Sequence, residues 1–184
     1  MKTNLNYDMF VPTRTLFGAG TLNELHAQPM PGRKALLVIS NGRSTRANSY
    51  LSRTEEQLRM AGVETVLFDR VEANPLKSTV MAGGAMAREN GCDMIVALGG
   101  GSVMDAAKAI AVVASNGGDY WDYIPCGTGK GKAVAETPLP IVAITTTAGT
   151  GSETDAGCVI TNAETHEKTY IRGCFRCSPS SIRS

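Results

Sequence analysis

The sequence predicts an α/β protein built on a doubly wound, mostly parallel sheet. Short apolar runs that suit buried parallel strands recur along the chain, at 34–40, 63–68, 94–98 and 140–144. Stretches of helix-forming residues lie between them, so strand and helix alternate as they do in parallel sheets with helices on both faces. Small and polar residues directly follow several of these strands, at the edge where such sheets bind ligands.

The N-terminal segment is expected to form a β-hairpin or edge strand, with its strand at 14–17. A short helix should follow, because Thr21 and Glu24 have the three-residue spacing of a capping box. This helix is predicted to run to Gln28. It contains His26, which we interpret as a surface or hydrogen-bonded histidine, since no partner for a metal site is near it in sequence.

The remaining elements follow from helix-forming stretches and later apolar runs. Three longer helices are predicted at 49–61, 78–90 and 103–114. The last of these should be deeply buried, because it consists of good helix formers with apolar side chains on most sides. A short helix is expected at 119–123, and two further strands are expected at 155–161 and after a turn at 165–168.

The glycine-rich stretch after the third strand predicts an anion site. Three glycines at 99–101 let a ligand approach the backbone closely. Ser102 is predicted to cap the next helix, with Asp105 in its first turn, and the N–H groups of a helix start favour a phosphate or pyrophosphate. The usual dinucleotide pattern G-x-G-x-x-G is not met, because Met104 replaces its last glycine. A tight strand-to-helix turn without a ligand is the alternative.

A hydroxyl-rich loop follows the fourth strand. Residues 145–153 read Thr-Thr-Thr-Ala-Gly-Thr-Gly-Ser-Glu, and their small side chains can surround a polar ligand with N–H and O–H donors. This loop and the glycine-rich stretch should meet, since both follow parallel strands at the same edge of the sheet.

Together these two stretches resemble the iron-containing (group III) alcohol dehydrogenase family. The resemblance rests on Gly-Gly-Gly-Ser-x-x-Asp-x-x-Lys at 99–108 and Thr-Thr-Ala-Gly-Thr-Gly-Ser-Glu at 146–153. The opening segment at 10–18 and an Asn-Pro pair at 74–75 are also similar, so the resemblance covers about residues 8–175. It implies a Rossmann-like cofactor domain in an NAD(P)-dependent alcohol dehydrogenase or aldehyde reductase that acts on small alcohols or aldehydes.

The resemblance also implies which residues bind the cofactor. They are Asn41, Asn74, Gly100, Gly101, Ser102, Thr146, Thr147, Thr150, Gly157 and Lys168. The two glycines and Ser102 would hold the pyrophosphate, the threonines would line the cofactor, and Lys168 would lie beside the nicotinamide ribose. Asp105 is interpreted as a helix-start and loop-bracing residue rather than a catalytic acid. No catalytic residue is assigned.

The family resemblance implies a metal as well, Fe²⁺ or Zn²⁺, held by one aspartate and three histidines of a C-terminal helical domain. The sequence contains two histidines, His26 and His166, and neither is expected to be a metal ligand. We therefore expect this chain to contain the cofactor half of the family and to lack the metal-binding half. An inactive nucleotide-binding fragment, or an unstable remnant, is the alternative to an active enzyme. Glycerol dehydrogenase and dehydroquinate synthase share the fold, but the threonine-rich loop argues against them.

The choice between NADP(H) and NAD(H) is predicted from Asn41, which follows the first strand. In the resembled family this position helps to set cofactor choice, and an aspartate there would bind a ribose hydroxyl and repel a 2′-phosphate. Asn41 does not repel it, and Arg43 and Arg46 are close enough in sequence to attract it. The sequence therefore favours NADP(H), with two solvated arginines as the alternative interpretation.

The last residues, 174–184, have neither strand nor helix periodicity, and we predict an irregular tail after a dinucleotide-binding domain at 1–173. Cys174 and Cys177 have a C-x-x-C spacing, but no partners for a metal or redox site accompany them. Our hypothesis is that one base was lost near the codon of Phe175, which shifted the reading frame and truncated the chain. The gene sequence tests this hypothesis directly.

Composition excludes other classes of function. The net charge is +1, from 18 basic and 17 acidic residues, which argues against a nucleic-acid partner. No apolar run approaches the ~20 residues of a membrane span, and the start does not resemble a signal peptide. Five cysteines, an odd number, suit a reduced cytoplasmic setting. A small-molecule substrate is the expected partner, and a homodimer is compatible with the resemblance.

Overall fold

The structure, a computed structural model, describes residue 11 and residues 13–171. Strands and helices alternate along most of this part of the chain. In order they are a 3₁₀ helix Thr21–Ala27, β1 Lys34–Ser40, α1 Ser44–Ala47, α2 Tyr50–Met60, β2 Glu64–Val71, α3 Lys77–Glu89, β3 Met94–Gly99, α4 Gly101–Asn116, a 3₁₀ helix Tyr120–Tyr123, β4 Ile141–Thr145, β5 Cys158–Asn162 and β6 Glu167–Ile171.

Four strands form the parallel sheet that the sequence predicts, in the order β2-β1-β3-β4. Its register places Leu37 at the centre, opposite Leu67 of β2 and Val96 of β3. The strands β5 and β6 form a separate antiparallel hairpin. This hairpin is attached to the sheet domain where Thr161 N–H donates to Pro75 O at 2.9 Å.

Apolar side chains cover both faces of the sheet, because successive residues of a strand point to opposite sides. On one face Leu36 and Ile95 pack in a core that includes α3 and α4. On the other face Leu37 and Val96 pack with Leu58 of α2 and with residues of the first 3₁₀ helix. The doubly wound α/β fold is therefore confirmed. None of the helices in the described part of the chain combines the length and the apolarity that a bilayer crossing demands.

The helix α4 is deeply buried, as predicted, and a glycine pair in α3 lets it pack closely. A methyl group at Gly83 would lie 2.5 Å from Ile110 Cδ1, and one at Gly84 would lie 2.7 Å from Val113 Cγ1. By propensity alone two glycines weaken a helix. Here their missing side chains allow α3 and α4 to pack closely on one face of the sheet.

The predicted N-terminal strand is wrong for the residues that the structure describes. Residues 13–17 contain no strand, and Phe17 is 98% exposed, since no described strand pairs with this segment. The other residues of the predicted hairpin lie outside the described part. The helix that follows is also shorter and tighter than predicted. Gly20, at φ 86°, precedes it, and the Thr21 hydroxyl donates to Gly18 O instead of capping the helix.

Other boundaries agree within a few residues. The predicted helices at 49–61 and 78–90 correspond to α2 and α3, while β5 begins three residues later than expected, at Cys158. The short helix α1 was not predicted. The domain boundary at 173, the tail 174–184 and its two cysteines lie outside the described residues, so these predictions stay predictions.

Candidate cofactor-binding site

The candidate site lies where the order of the strands reverses. The chain passes from β1 to β2 on one side and then returns to β3 on the other side of β1. Ligands of open parallel sheets bind outside the carboxyl ends of the strands at such a switch point. Ile39 and Leu98 are neighbours near those ends, so the loops that begin at Asn41 and Gly100 flank the switch point. The space between these loops is here called the crevice.

The glycine turn, residues 99–101, leads directly into α4. Gly100, in an extended conformation (φ −95°, ψ −168°), occupies the N-cap position, and its carbonyl accepts from Met104 N at 3.1 Å. The prediction that Ser102 caps the helix is therefore wrong, because the helix begins one residue before it. By the geometry of helix ends, the N–H groups of Gly101 and Ser102 lack acceptors within the helix, and the partial positive charge there favours an anion.

The threonine loop, residues 145–157, lies directly against the glycine turn. Thr146 N–H donates to Gly99 O at 3.0 Å, which continues the pairing of β4 with β3. A methyl group at Gly101 would lie 2.7 Å from Thr150 Oγ1, and one at Gly100 would lie 3.1 Å from Thr147 Oγ1. A side chain at either position would crowd these threonines, so the two glycines allow the loops to approach closely. The structure brings together Gly100, Gly101, Ser102, Thr146, Thr147 and Thr150.

Asp105 fastens this loop to α4. Its Oδ1 accepts from the Ser152 hydroxyl at 2.5 Å, and its Oδ2 accepts from Val159 N–H at 3.0 Å. The expected loop-bracing role of Asp105 is therefore confirmed. Its placement in the first turn is wrong, because α4 starts at Gly101 and Asp105 is the fifth helical residue.

A buried lysine makes the second connection. The Nζ of Lys108 donates to Ser152 Oγ at 2.7 Å, to Asp155 Oδ1 at 2.6 Å and to Gly157 O at 2.8 Å. The lysine side chain is 7% exposed, whereas that of Asp155 is 50% exposed. Lys108 and Asp105 on the helix, with Ser152 and Asp155 on the loop, are here called the Lys108 cluster.

Sequence reasoning missed the Lys108 cluster, although a signal was present. Lys108 is the only cationic residue in α4, within an otherwise apolar run, and a buried charge requires partners. Asp105 lies three residues earlier on the same side of the helix. The partners themselves lie 44 to 49 residues further along the chain, so only the fold identifies them.

Gly157 is placed at the end of the threonine loop, against the aromatic ring of Tyr170. A side chain at this position would overlap that ring. Its N–H donates to Asp155 Oδ1 at 2.9 Å, and its carbonyl accepts from Lys108. In the described structure Gly157 is thus part of the support of the loop.

Two predicted site residues far apart in sequence meet where the loop after β2 lies against the β5–β6 hairpin. Lys168 Nζ donates to Asn74 Oδ1 at 2.8 Å, and the side chains of both residues are exposed. Asn74 has a left-handed conformation at φ 56°, which asparagine tolerates better than most residues. The turn around it is held by Glu72, whose Oε1 accepts from Leu76 N–H at 2.7 Å. Left-handed non-glycine residues are common at ligand sites.

The β1 loop, residues 41–43, forms the other border of the crevice. Asn41 N–H donates to Val71 O at 2.9 Å, and its side chain is exposed. Arg46 forms an ion pair with Asp69, at 2.6 Å between Nη2 and Oδ2, with both side chains 44% exposed. Of the two arginines considered for a 2′-phosphate, Arg46 is therefore already engaged, while Arg43 is exposed.

The two histidines belong neither to the glycine turn nor to the threonine loop or the β1 loop. His26 Nδ1 is hydrogen-bonded to Gln57 Oε1 at 2.7 Å, which confirms it as a hydrogen-bonded surface histidine, and His166 is exposed in the β5–β6 turn. Among the residues that the structure describes, no three His, Cys, Asp or Glu side chains are grouped to hold a metal ion. The described residues therefore do not fit an iron site.

Known proteins resemble this chain along almost its whole length. Residues 12–182 match the family model described as "Iron-containing alcohol dehydrogenase", and this match continues past residue 173. The 1,3-propanediol dehydrogenase of Klebsiella pneumoniae is 39% identical over 168 residues, which are 90% of this chain and 42% of that protein. A probable NADH-dependent butanol dehydrogenase of Bacillus subtilis is 38% identical over 163 residues, 89% of this chain and 41% of that protein.

Solved structures agree in fold. An archaeal halo-thermophilic alcohol dehydrogenase from a Red Sea brine pool superimposes with a TM-score of 0.84 at 37% identity, covering 94% of this chain and 44% of that one. The chain thus spans less than half the length of the relatives that it matches. By its sequence match and its fold, this chain belongs to the iron-containing alcohol dehydrogenase family.

Proposed function

We propose that this chain binds a nicotinamide dinucleotide at the carboxyl edge of its sheet, as the cofactor-binding part of an alcohol dehydrogenase or aldehyde reductase. The observation that carries the proposal is the contact between the glycine turn and the threonine loop at the start of α4. A pyrophosphate there would accept from the N–H groups of Gly101 and Ser102 and from the hydroxyls of Thr147 and Thr150.

The rest of the cofactor would extend to both sides of the pyrophosphate. On the adenosine side, Asn41 would lie beside the ribose. On the nicotinamide side, Thr146 would line the cofactor, and the Asn74–Lys168 pair would lie beside the second ribose. Support for this assignment comes from the 2.8 Å hydrogen bond that already joins the last two residues. Gly157 would lie on this side too, where its missing side chain leaves room for the Tyr170 ring.

The chemistry proposed is hydride transfer between a nicotinamide and a small alcohol or aldehyde. When bound, the nicotinamide ring supplies or accepts the hydride, and the residues named above bind and orient it. The family relatives described above include enzymes named for 1,3-propanediol and butanol. A short-chain alcohol or its aldehyde is therefore the substrate class proposed for the whole enzyme.

For the cofactor we propose a modest preference for NADP(H). Asn41 carries no charge that would repel a 2′-phosphate, and the exposed Arg43 would attract one. The pairing of Arg46 with Asp69 removes one of the two cations considered, and the Bacillus relative is named as NADH-dependent. The preference should therefore be only a few fold.

The direct test is a fluorescence titration of the 184-residue chain with NADPH and NADH, combined with thermal melts. Saturable binding of either cofactor, with a rise in melting temperature, supports the proposal. A cooperative melt that neither cofactor shifts contradicts it. Turnover of butanol or 1,3-propanediol with added Fe²⁺ or Zn²⁺ then separates an active enzyme from a nucleotide-binding chain without turnover.

Two further parts of the proposal concern the setting of the protein. A homodimer is tested by sedimentation at several concentrations. A reduced, cytoplasmic setting is supported by the cysteines of the described residues, Cys92, Cys126 and Cys158, which are free thiols.

A further inference from the structure

We propose that Lys108 is a positioning residue for dinucleotide binding: it holds the threonine loop against the glycine turn in the arrangement that receives the pyrophosphate. The inference rests on the proposed function for its ligand. It assigns a role to a buried cation that does not line the proposed crevice.

The hydrogen bonds of Lys108 are all directed to the threonine loop. A lysine ammonium has three donors, and here they meet three acceptors, Ser152 Oγ, Asp155 Oδ1 and Gly157 O, within 2.8 Å. The lysine is 7% exposed, and an unpaired ammonium at such a position would be strongly destabilising. Burial of the cation is therefore coupled to one conformation of the loop.

A short route connects Lys108 to the proposed ligand contacts. Ser152 accepts from Lys108, donates its hydroxyl to Asp105, and donates its N–H to Thr150 Oγ1 at 3.2 Å. Thr150 in turn lies over Gly101 in close contact. A shift of Ser152 would therefore move the Thr150 hydroxyl away from the start of α4.

Lys108 itself is too deep in the helix to contact a ligand at the helix start. It lies seven residues after Gly101, about 10 Å along the helix axis. Since its donors are used within the loop, it acts through Ser152 and Asp155. Loss of Lys108 should therefore lower the affinity for every ligand that carries a pyrophosphate by the same factor, whether or not the ligand carries nicotinamide.

The test compares Lys108→Met with a matched control, Lys77→Met, in the 184-residue chain. Lys77 is also largely buried and doubly paired, with Asp119 at 3.1 Å and Glu164 at 3.0 Å. Those pairs tie α3 to other loops, outside the glycine turn and the threonine loop. Lys108→Met should lower the affinities for ADP and NADH equally, by about tenfold or more. This is the size expected when one hydrogen bond to a charged group is displaced. Lys77→Met should lower the melting temperature without changing the affinity for ADP, which lacks the nicotinamide ribose proposed to lie beside Asn74 and Lys168, by more than about twofold.

Asp155 provides a second, milder pair of variants, because its side chain is half exposed and its replacement should not prevent folding. Asp155→Ala removes the loop acceptor and, like Lys108→Met, should lower the affinities for ADP and NADH. Asp155→Asn keeps an oxygen acceptor for Lys108 and for Gly157 N–H, so it should restore most of the affinity. A purely charge-dependent or global effect would not give this rescue.

Amide hydrogen exchange without nucleotide completes the design. Residues 150–159 should exchange faster in Lys108→Met and in Asp155→Ala than in the wild type, and should be unchanged in Lys77→Met. Unchanged affinities for ADP and NADH in Lys108→Met, or an equal loss of ADP affinity in Lys77→Met, would overturn the inference. A wild-type chain that binds neither ADP nor NADH would overturn the proposed function, and the exchange comparison alone would then decide whether Lys108 holds the loop.

Discussion

Two loops border the crevice at the carboxyl edge of the sheet, and they are built differently. The threonine loop is fastened to α4 by Asp105 and by the buried Lys108, and its threonines lie close to glycines where a side chain would crowd them. The β1 loop is exposed, is anchored by the backbone hydrogen bond of Asn41, and lies next to the half-exposed Arg46–Asp69 pair.

The difference suggests a division of roles between affinity and selectivity. Buried, fully paired charges hold one geometry, because breaking them leaves an uncompensated charge, whereas exposed ion pairs contribute little. A fixed surface suits the pyrophosphate, which is common to all dinucleotides. An exposed loop can change residues at little cost in stability, which suits the ribose position where NADP(H) and NAD(H) differ.

The largest expected effect is on the free energy of unfolding, which should fall more when the anchor of the threonine loop is removed than when the ion pair beside the β1 loop is removed. Asp105→Ala leaves the Ser152 hydroxyl and Val159 N–H without their acceptor, and should lower the free energy of unfolding by about 2 kcal/mol. Asp69→Ala removes only the exposed pair with Arg46, and should cost less than about 1 kcal/mol. Urea unfolding followed by circular dichroism measures both values. Equal losses in the two variants would contradict the distinction.

The next effect concerns cofactor affinity. Gly101→Ala places a methyl group 2.7 Å from Thr150 Oγ1, so the loop must move, and the affinity for NADH should fall by about tenfold. Gly42→Ala in the β1 loop is the matched control, because its methyl group would meet only Ser40 Oγ, at 3.4 Å. Titration of both variants with NADH checks this, and a Gly101→Ala chain that binds normally would show that the close approach is not needed.

The smallest effect concerns cofactor selectivity. Asn41→Asp adds a carboxylate beside the proposed adenosine ribose, which should repel a 2′-phosphate. We expect the affinity for NADPH to fall by about threefold, in the range of an exposed charge interaction, with NADH binding unchanged or improved. Parallel titrations with the two cofactors measure the ratio. An equal loss of affinity for NADPH and NADH would contradict the proposed position of Asn41 beside the adenosine ribose.

The parts of the fold that follow from local pattern were predictable. Apolar runs such as the one around Val96 identify buried strands, and glycines followed by a helix identify the turn at the start of α4. The residue that caps α4 could not be predicted, since the choice of Gly100 over Ser102 depends on backbone angles that the residue types do not fix. The prediction of a strand at 14–17 was wrong for a related reason. A strand needs a neighbouring strand to pair with, and local sequence does not identify that neighbour.

Contacts between distant residues were the least accessible to sequence reasoning. Lys168 and Asn74 were both singled out, but their hydrogen bond joins positions 94 residues apart. Lys108 was part of the quoted motif without a role, because its partners come from a loop whose position is set by the pairing of β3 with β4. Residue types indicate that a charge must be paired, and only the topology shows with what.

The proposed pyrophosphate site lies between the glycine turn and the threonine loop, and a ¹H–¹⁵N correlation spectrum of the labelled chain during titration with ADP can locate it. We expect the largest shifts at the amides of Gly101, Ser102, Thr147 and Thr150. Binding of ADP that leaves these four amides unchanged would rule out a pyrophosphate at this position.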